Sequence, residues 1–282
     1  MTTTEMTAPA SEPPTASATR LSVPPARFRD LVAAEWIKAR SLRSTPWTLA
    51  LTVLFVLGSA AVATWSDAAA LSGPAAFLPF DAYPPAGYWT LILVAGSMGT
   101  LTVVSEYGSG LIRTTTVAVP ARGSVVLAKA VVTAALWTAV GTAASTGSFL
   151  VSQAILDGHH AGVPITHPGV FRALAASALL APVSALVGLG LGVLLRHAAG
   201  TMVTCVFVLL MLPLMFSESS RWSADVRHAL VASAWKRLVQ NWGPGPDSLG
   251  YTATVTGSWI VYTLWPLVTV ALAVLVVRRR DV

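Results

Sequence analysis

Six long apolar runs, separated by shorter polar stretches, dominate the chain. The first extends from Trp47 to Trp65, with a tryptophan at each end, where interfacial aromatics anchor a helix at both headgroup levels of a bilayer. The second opens at Tyr88-Trp89 and reaches about Val104, and the third covers Ser124 to Leu156. The fourth covers Val170 to Leu195, the fifth about Ala198 to Phe216, and the sixth Ser258 to Val277, where Arg278, Arg279 and Arg280 stop it. Crossing about 30 Å of hydrocarbon takes roughly 20 apolar residues in a helix, so the runs predict six spanning helices. The third is too long for one crossing and is expected to project from the membrane at its cytoplasmic end.

The period changes ahead of the first run. In "ARFRDLVAAEWIKARSLRS", at about 100° per residue, Phe28, Leu31, Val32, Ala39 and Leu42 share one face, flanked by Arg29, Lys38 and Arg40. This predicts an amphipathic helix over Arg27 to Arg43 lying on the inner membrane surface. Glu35 falls inside the apolar stripe, where an unpaired carboxylate is costly. A basic partner is expected for it, with Arg113, Arg122 and Lys129 as candidates.

Those three belong to the stretch between the second and third runs, "SEYGSGLIRTTTVAVPARGSVVLAK". A charge at the centre of a spanning helix costs roughly 2.5–3.5 kcal/mol. Glu106, Arg113, Arg122 and Lys129 therefore place the stretch at or outside the membrane surface. "SGLIRTTTVAV" has the length of about three helical turns, with Pro120 to end them and Ser124 positioned to cap the next helix. A short helix across one membrane face, between glycine-containing hinges, is expected. The connection after the fifth run, "SADVRHALVASAWKRLVQNW", carries Val226, Leu230, Trp235 and Leu238 near helical spacing. It predicts an outer interfacial or re-entrant helix pair ending at Gly243 to Pro246, with Arg227, Lys236 and Arg237 available to headgroups. In the fourth run, Gly188 and Gly192 stand four apart and invite close helix approach, either within the chain or to a second copy.

Composition sharpens the class. Of 282 residues, 54% are hydrophobic and 11% charged, with mean hydropathy +0.68; soluble domains carry about 25% charged residues. The fold class is all-α polytopic membrane protein. The net charge of +6 and isoelectric point near 10.0 do not mark a nucleic-acid binder, because the basic residues lie at the ends of apolar runs instead of in one patch. They follow the positive-inside rule. Arg20, Arg27, Arg29, Lys38, Arg40 and Arg43 precede the first run, the first loop has no Lys or Arg, and the second has Arg113, Arg122 and Lys129. The fourth loop holds Arg196 and His197. Both termini are therefore expected in the cytoplasm of a cell-membrane protein, and the basic fifth loop is an exception of the kind that long loops tolerate. Residues 1–26, rich in Thr, Ala, Pro and Ser, lack a secretory signal and are expected to form a disordered cytoplasmic tail before one transmembrane domain over 27–282.

The search for chemistry returns little. There is no G-x-x-x-x-G-K-[ST] for a P-loop. His159, His160 and His167 stand near Asp157 in the third loop, at spacings unlike H-E-x-x-H, and are read as loop histidines, not a metal site. Cys205 is the single cysteine and has no partner for a disulfide. No catalytic residue, cofactor or metal is assigned. Spans almost free of Asp, Glu, His and Lys argue against an intramembrane protease and against a proton-coupled carrier.

Glu106-Tyr107, Gly110, Arg113, Pro120, Arg122 and Lys129, together with Glu35 and Lys38 in the entrance "AEWIKARSLRSTPW", resemble the loop and opening of ABC-2 type permeases, the transmembrane subunits of a class of ATP-binding cassette exporters. The resemblance covers Phe28 to Arg280. It implies six spans with a cytoplasmic connecting helix and an interfacial coupling helix. It also implies a separate ATPase subunit docked at these nine residues, and a second permease, identical or not, as the other half of a dimer. The cargo would be hydrophobic or amphipathic: an antibiotic, peptide or lipid-like molecule. Gly108-Ser109 departs from the bulkier polar residues common there. A non-transporting membrane interaction or immunity protein on the same fold is the alternative.

Overall fold

The computed structural model describes residues 27–70, 85–110, 122–240 and 251–279. The expected tail over 1–26, the middle of the charged stretch with Arg113 and Pro120, the Gly243–Pro246 turn and Arg280 lie outside the described residues. The helices in chain order are α1 (Phe28–Ser41), α2 (Ser44–Ala70), α3 (Pro85–Gly108), α4 (Arg122–Asp157), α5 (Val170–Leu195), α6 (Ala198–Val206), α7 (Arg221–His228), α8 (Val231–Val239) and α9 (Val255–Arg279). There is no strand among the described residues.

Five helices among the described residues, α2, α3, α4, α5 and α9, are long and apolar enough to cross a membrane. The expected fifth span is shorter than the others. α6 continues through a π-helical turn at Phe207–Met211 and a 3₁₀ turn at Leu212–Leu214, an apolar stretch over Ala198–Leu214. Pro213 has no N–H to donate, so a regular α-helical ladder cannot run through this end. At the start of α4, Ser124 does not cap: the helix opens two residues earlier, at Arg122.

α5 sits at the centre, against α3, α4, α6, α8 and α9. Its small residues bring it there. A Cβ on Gly99 of α3 would overlap the Ala185 carbonyl, and one on Gly188 would overlap the Gly96 carbonyl. Thr100 Oγ1 donates to the Gly188 carbonyl across the same seam at 3.1 Å, and a Cβ on Gly192 would lie 3.2 Å from the Thr100 carbonyl. Gly188 and Gly192 thus serve packing within the chain. On the other side, Gly141 of α4 presses on the Ala178 carbonyl.

α2 and α9 lie at the periphery and expose Leu51, Leu54, Phe55 and Val62, and Ile260, Leu264, Leu267 and Leu272. A band of this size is not left facing water; it is covered by hydrocarbon, and the protein is membrane-embedded.

α8 enters the core. Trp235 stacks on Tyr88 with ring centroids 4.3 Å apart and donates from Nε1 to Ser177 Oγ at 3.2 Å. Arg172 of α5 donates to the Leu238 and Gln240 carbonyls, at 2.9 and 2.8 Å, and so satisfies the free end of α8. Trp265 Nε1 donates to the Ala229 carbonyl at 2.7 Å. Since Trp265 lies ten residues into α9, roughly 15 Å from its start, the α7–α8 turn sits well inside the end of the bundle and α8 runs back out beside α5 and α9. The arginines expected at headgroups are used internally. Arg237 donates to the Ala253 carbonyl at 2.7 Å and Arg227 to the Phe216 carbonyl at 3.1 Å, while Lys236 stays exposed.

Candidate functional site

At the end of the bundle opposite α8, α1 meets the last turns of α3 and the early turns of α4. Glu35 is the one buried residue of α1. The face that packs is therefore set by this carboxylate, while Phe28 and Leu42 of the expected apolar stripe remain 47% and 60% exposed. The helical repeat places Lys38 one turn on, and its Nζ donates to Glu35 Oε1 at 2.7 Å. Lys129, in the third turn of α4, donates to Glu35 Oε2 at 2.6 Å. Both ammonium groups also donate to Glu106 Oε1, each at 3.0 Å. Glu35, Lys38, Glu106 and Lys129 form a closed ring of alternating charge with no net charge.

Glu35, Glu106 and Lys129 are buried, and Lys38 reaches the surface with 48% of its side chain exposed. Carboxylates and ammonium groups removed from water are tolerated when each is paired and hydrogen-bonded, and the ring meets that condition. Burial opposes the Lys38 charge, but hydrogen bonds to Glu35 and Glu106 outweigh it and hold its pKa above the ordinary 10.5. Of the three partners expected for Glu35, the structure pairs it with Lys129, and adds Lys38.

The other expected site residues lie around the ring. Tyr107 follows Glu106 on α3, and its ring carries the Arg196 guanidinium, 5.1 Å from Cζ to the centroid. Gly110 closes α3 with φ of 71°, a left-handed conformation that glycine adopts without strain. Arg122 opens α4, seven residues before Lys129. Arg113 and Pro120 lie outside the described residues. Arg196 is the residue that spacing did not single out. It caps α5 in the left-handed conformation, with φ of 55°, and donates its N–H to the Gly192 carbonyl. An Arg-His pair ending a glycine-rich span was the available signal. The loop histidines belong to no group of three or more His, Cys, Asp or Glu side chains placed to hold a metal among the described residues.

What the arrangement does chemically is join three helices through fixed charge. Each of its acids is hydrogen-bonded to both of its ammonium groups. No protein-family model matches this chain, and no curated protein matches it.

Proposed function

We propose that the chain is the membrane-spanning subunit of an ATP-driven exporter of the ABC-2 type, and that the Glu35–Lys38–Glu106–Lys129 ring transmits movement from an ATPase bound at the cytoplasmic face to the spans. The observation that carries this reading is the ring itself. It ties α1, the connecting helix in this reading, to α3 and α4 on either side of the 111–121 segment, where the coupling helix is expected. A partner that pushes on that segment moves the ends of α3 and α4 together with α1. The sequence has no P-loop of its own, so ATP would be hydrolysed by a separate chain. The apolar stretch Ala198–Leu214 serves as the sixth crossing, which puts both termini in the cytoplasm, with α8 at the outer face. The cargo is a hydrophobic or amphipathic molecule, and a second permease supplies the other half.

The test is recovery of the tagged chain from its native membrane in mild detergent, with mass spectrometry of its companions. A stoichiometric ATP-binding cassette ATPase, lost in Arg113→Glu while the chain still inserts, supports the reading. Repeated recovery of the intact chain without an ATPase sinks it in favour of a non-transporting interaction protein.

A further inference from the structure

α2 and α3 do not close on one another along the first half of α2. An open groove of about 540 Å³ lies between them, lined on α2 by Leu51, Leu54, Phe55 and two threonines, and on α3 by Thr90 and Val94. The two threonines of α2 add no polarity to it. Thr48 Oγ1 donates to the Ser44 carbonyl at 3.0 Å and Thr52 Oγ1 to the Thr48 carbonyl at 2.7 Å, so both hydroxyls are spent within their own helix. The α2 wall is a surface for hydrocarbon.

Its length fits one leaflet. Trp47 is exposed and marks the headgroup level; Leu51 and Leu54, four and seven residues on, share its face. From Trp47 to Phe55 is eight residues, roughly 12 Å of helix, against about 15 Å for half of the hydrocarbon layer. The α3 wall ends soon afterwards, since α3 opens at Pro85 and its Gly87 already lies against Ser59. A spanning helix of a second copy needs a face that continues through both leaflets. A single acyl chain needs only this much.

The headgroup end carries charge. Arg40 lies in the last turn of α1, and Arg43 adjoins Ser44, the first residue of α2, whose opening turn leads to Thr48. Both arginines are exposed, and neither has a hydrogen bond or ion pair among the described residues. Glu35, the carboxylate nearest to them in sequence, is held by Lys38 and Lys129. We propose that α2 and α3 hold one anionic phospholipid, with its phosphate on Arg40 and Arg43 and an acyl chain in the groove. Guanidinium groups match phosphate oxygens in geometry and charge, and juxtamembrane cations favour anionic lipid; a choline headgroup brings a cation of its own beside them. In the orientation proposed above this is the cytoplasmic leaflet, but the site stands on whichever side it faces.

The test is photocrosslinking of the full chain in phosphatidylcholine nanodiscs doped with phosphatidylglycerol that carries a diazirine midway along one acyl chain. Phosphatidylcholine with the same modified chain is the control. Crosslinks from phosphatidylglycerol are expected on residues 48–55 and 90–94, several-fold above the control lipid, and Arg40→Gln/Arg43→Gln is expected to bring the two lipids level. Equal labelling of the groove by both lipids, or labelling by phosphatidylglycerol that the double variant leaves unchanged, overturns the proposal. Should the double variant fail to fold, Thr90→Phe decides it: filling the groove is expected to lower crosslinks there while those on the exposed α9 residues Leu264 and Leu267 persist, and no change overturns the site. In a Cys205→Ser background, Leu54→Cys that bridges two copies, with the groove unlabelled by either lipid, gives the groove to a second chain instead. No readout involves an ATPase, so failure here and failure to recover one remain separate results.

Discussion

Lys129 and Lys38 touch the same two carboxylates, yet they are not equivalent. Lys129 is buried with its partners, and removing it as Lys129→Met leaves two buried acids to share Lys38 alone; loss of one side of a buried pair costs about 3–5 kcal/mol. Lys38 is half exposed, and surface-like pairs contribute about 0.2–1 kcal/mol. Thermal unfolding of the purified protein is expected to rank Lys129→Met far below Lys38→Met, with Glu35→Gln/Lys129→Met less damaged than the sum of its parts. The pH dependence has a definite sign. Lys38 holds its proton more tightly folded than unfolded, so its contribution is whole below about 10.5 and is lost as pH rises through the higher folded value. The melting-temperature gap between wild type and Lys38→Met should stay flat through neutral pH and close only in the alkaline range; a gap that closes near neutrality would count against the ring as drawn. At this scale the sequence was readable in part. A carboxylate on a helix's apolar stripe announces that it needs a cation. Which cation depends on packing between residues 94 apart in the chain, and no local periodicity carries that.

The helices were legible where their ends are marked by a change in polarity. Val170 to Leu195 was expected and is the observed α5, whereas α2 overruns its tryptophans to cover Ser44–Ala70, since a helix continues for as long as nothing breaks its backbone. The role of α8 was not legible. The arginines of its loop read as headgroup ligands, and only the fold shows Arg227 and Arg237 occupied with carbonyls. Trp235→Ala removes both the stack on Tyr88 and the bond to Ser177 from a side chain that is 3% exposed, and about 3–5 kcal/mol of stability should go with it. Helix contact gives a sharper comparison. Gly188→Ala drives a methyl into a backbone carbonyl of α3, for which overpacking costs of about 1–3 kcal/mol are the guide. Gly58→Ala meets nothing within 4 Å and should be neutral or stabilising by up to about 1 kcal/mol. Denaturation midpoints of the two variants check both; equal losses would mean that α3 and α5 are not in the contact described.

For the whole molecule, composition was enough to identify a helical membrane protein, because a chain with this little charge cannot clothe itself in water. Orientation makes a prediction of its own. Ser109 near the ring and His159 beyond α4 lie at opposite ends of the bundle, both exposed, so Ser109→Cys and His159→Cys should react with a membrane-impermeant thiol reagent from opposite sides, His159→Cys from outside intact cells. Labelling of both from one side would refute the topology. Between these ends runs α4, 36 residues without a break, a rod of roughly 54 Å. Gly141, near its middle, lies against the Ala178 carbonyl of α5, and Lys129 stands twelve residues away, roughly 18 Å along the shaft. Length converts a small rotation into a stroke: a tilt of about 10° about Gly141 would sweep the ammonium through roughly 3 Å. That stroke is the length of the 2.6 and 3.0 Å bonds that hold Lys129, so a lean too slight to open the bundle is enough to break or remake its grip.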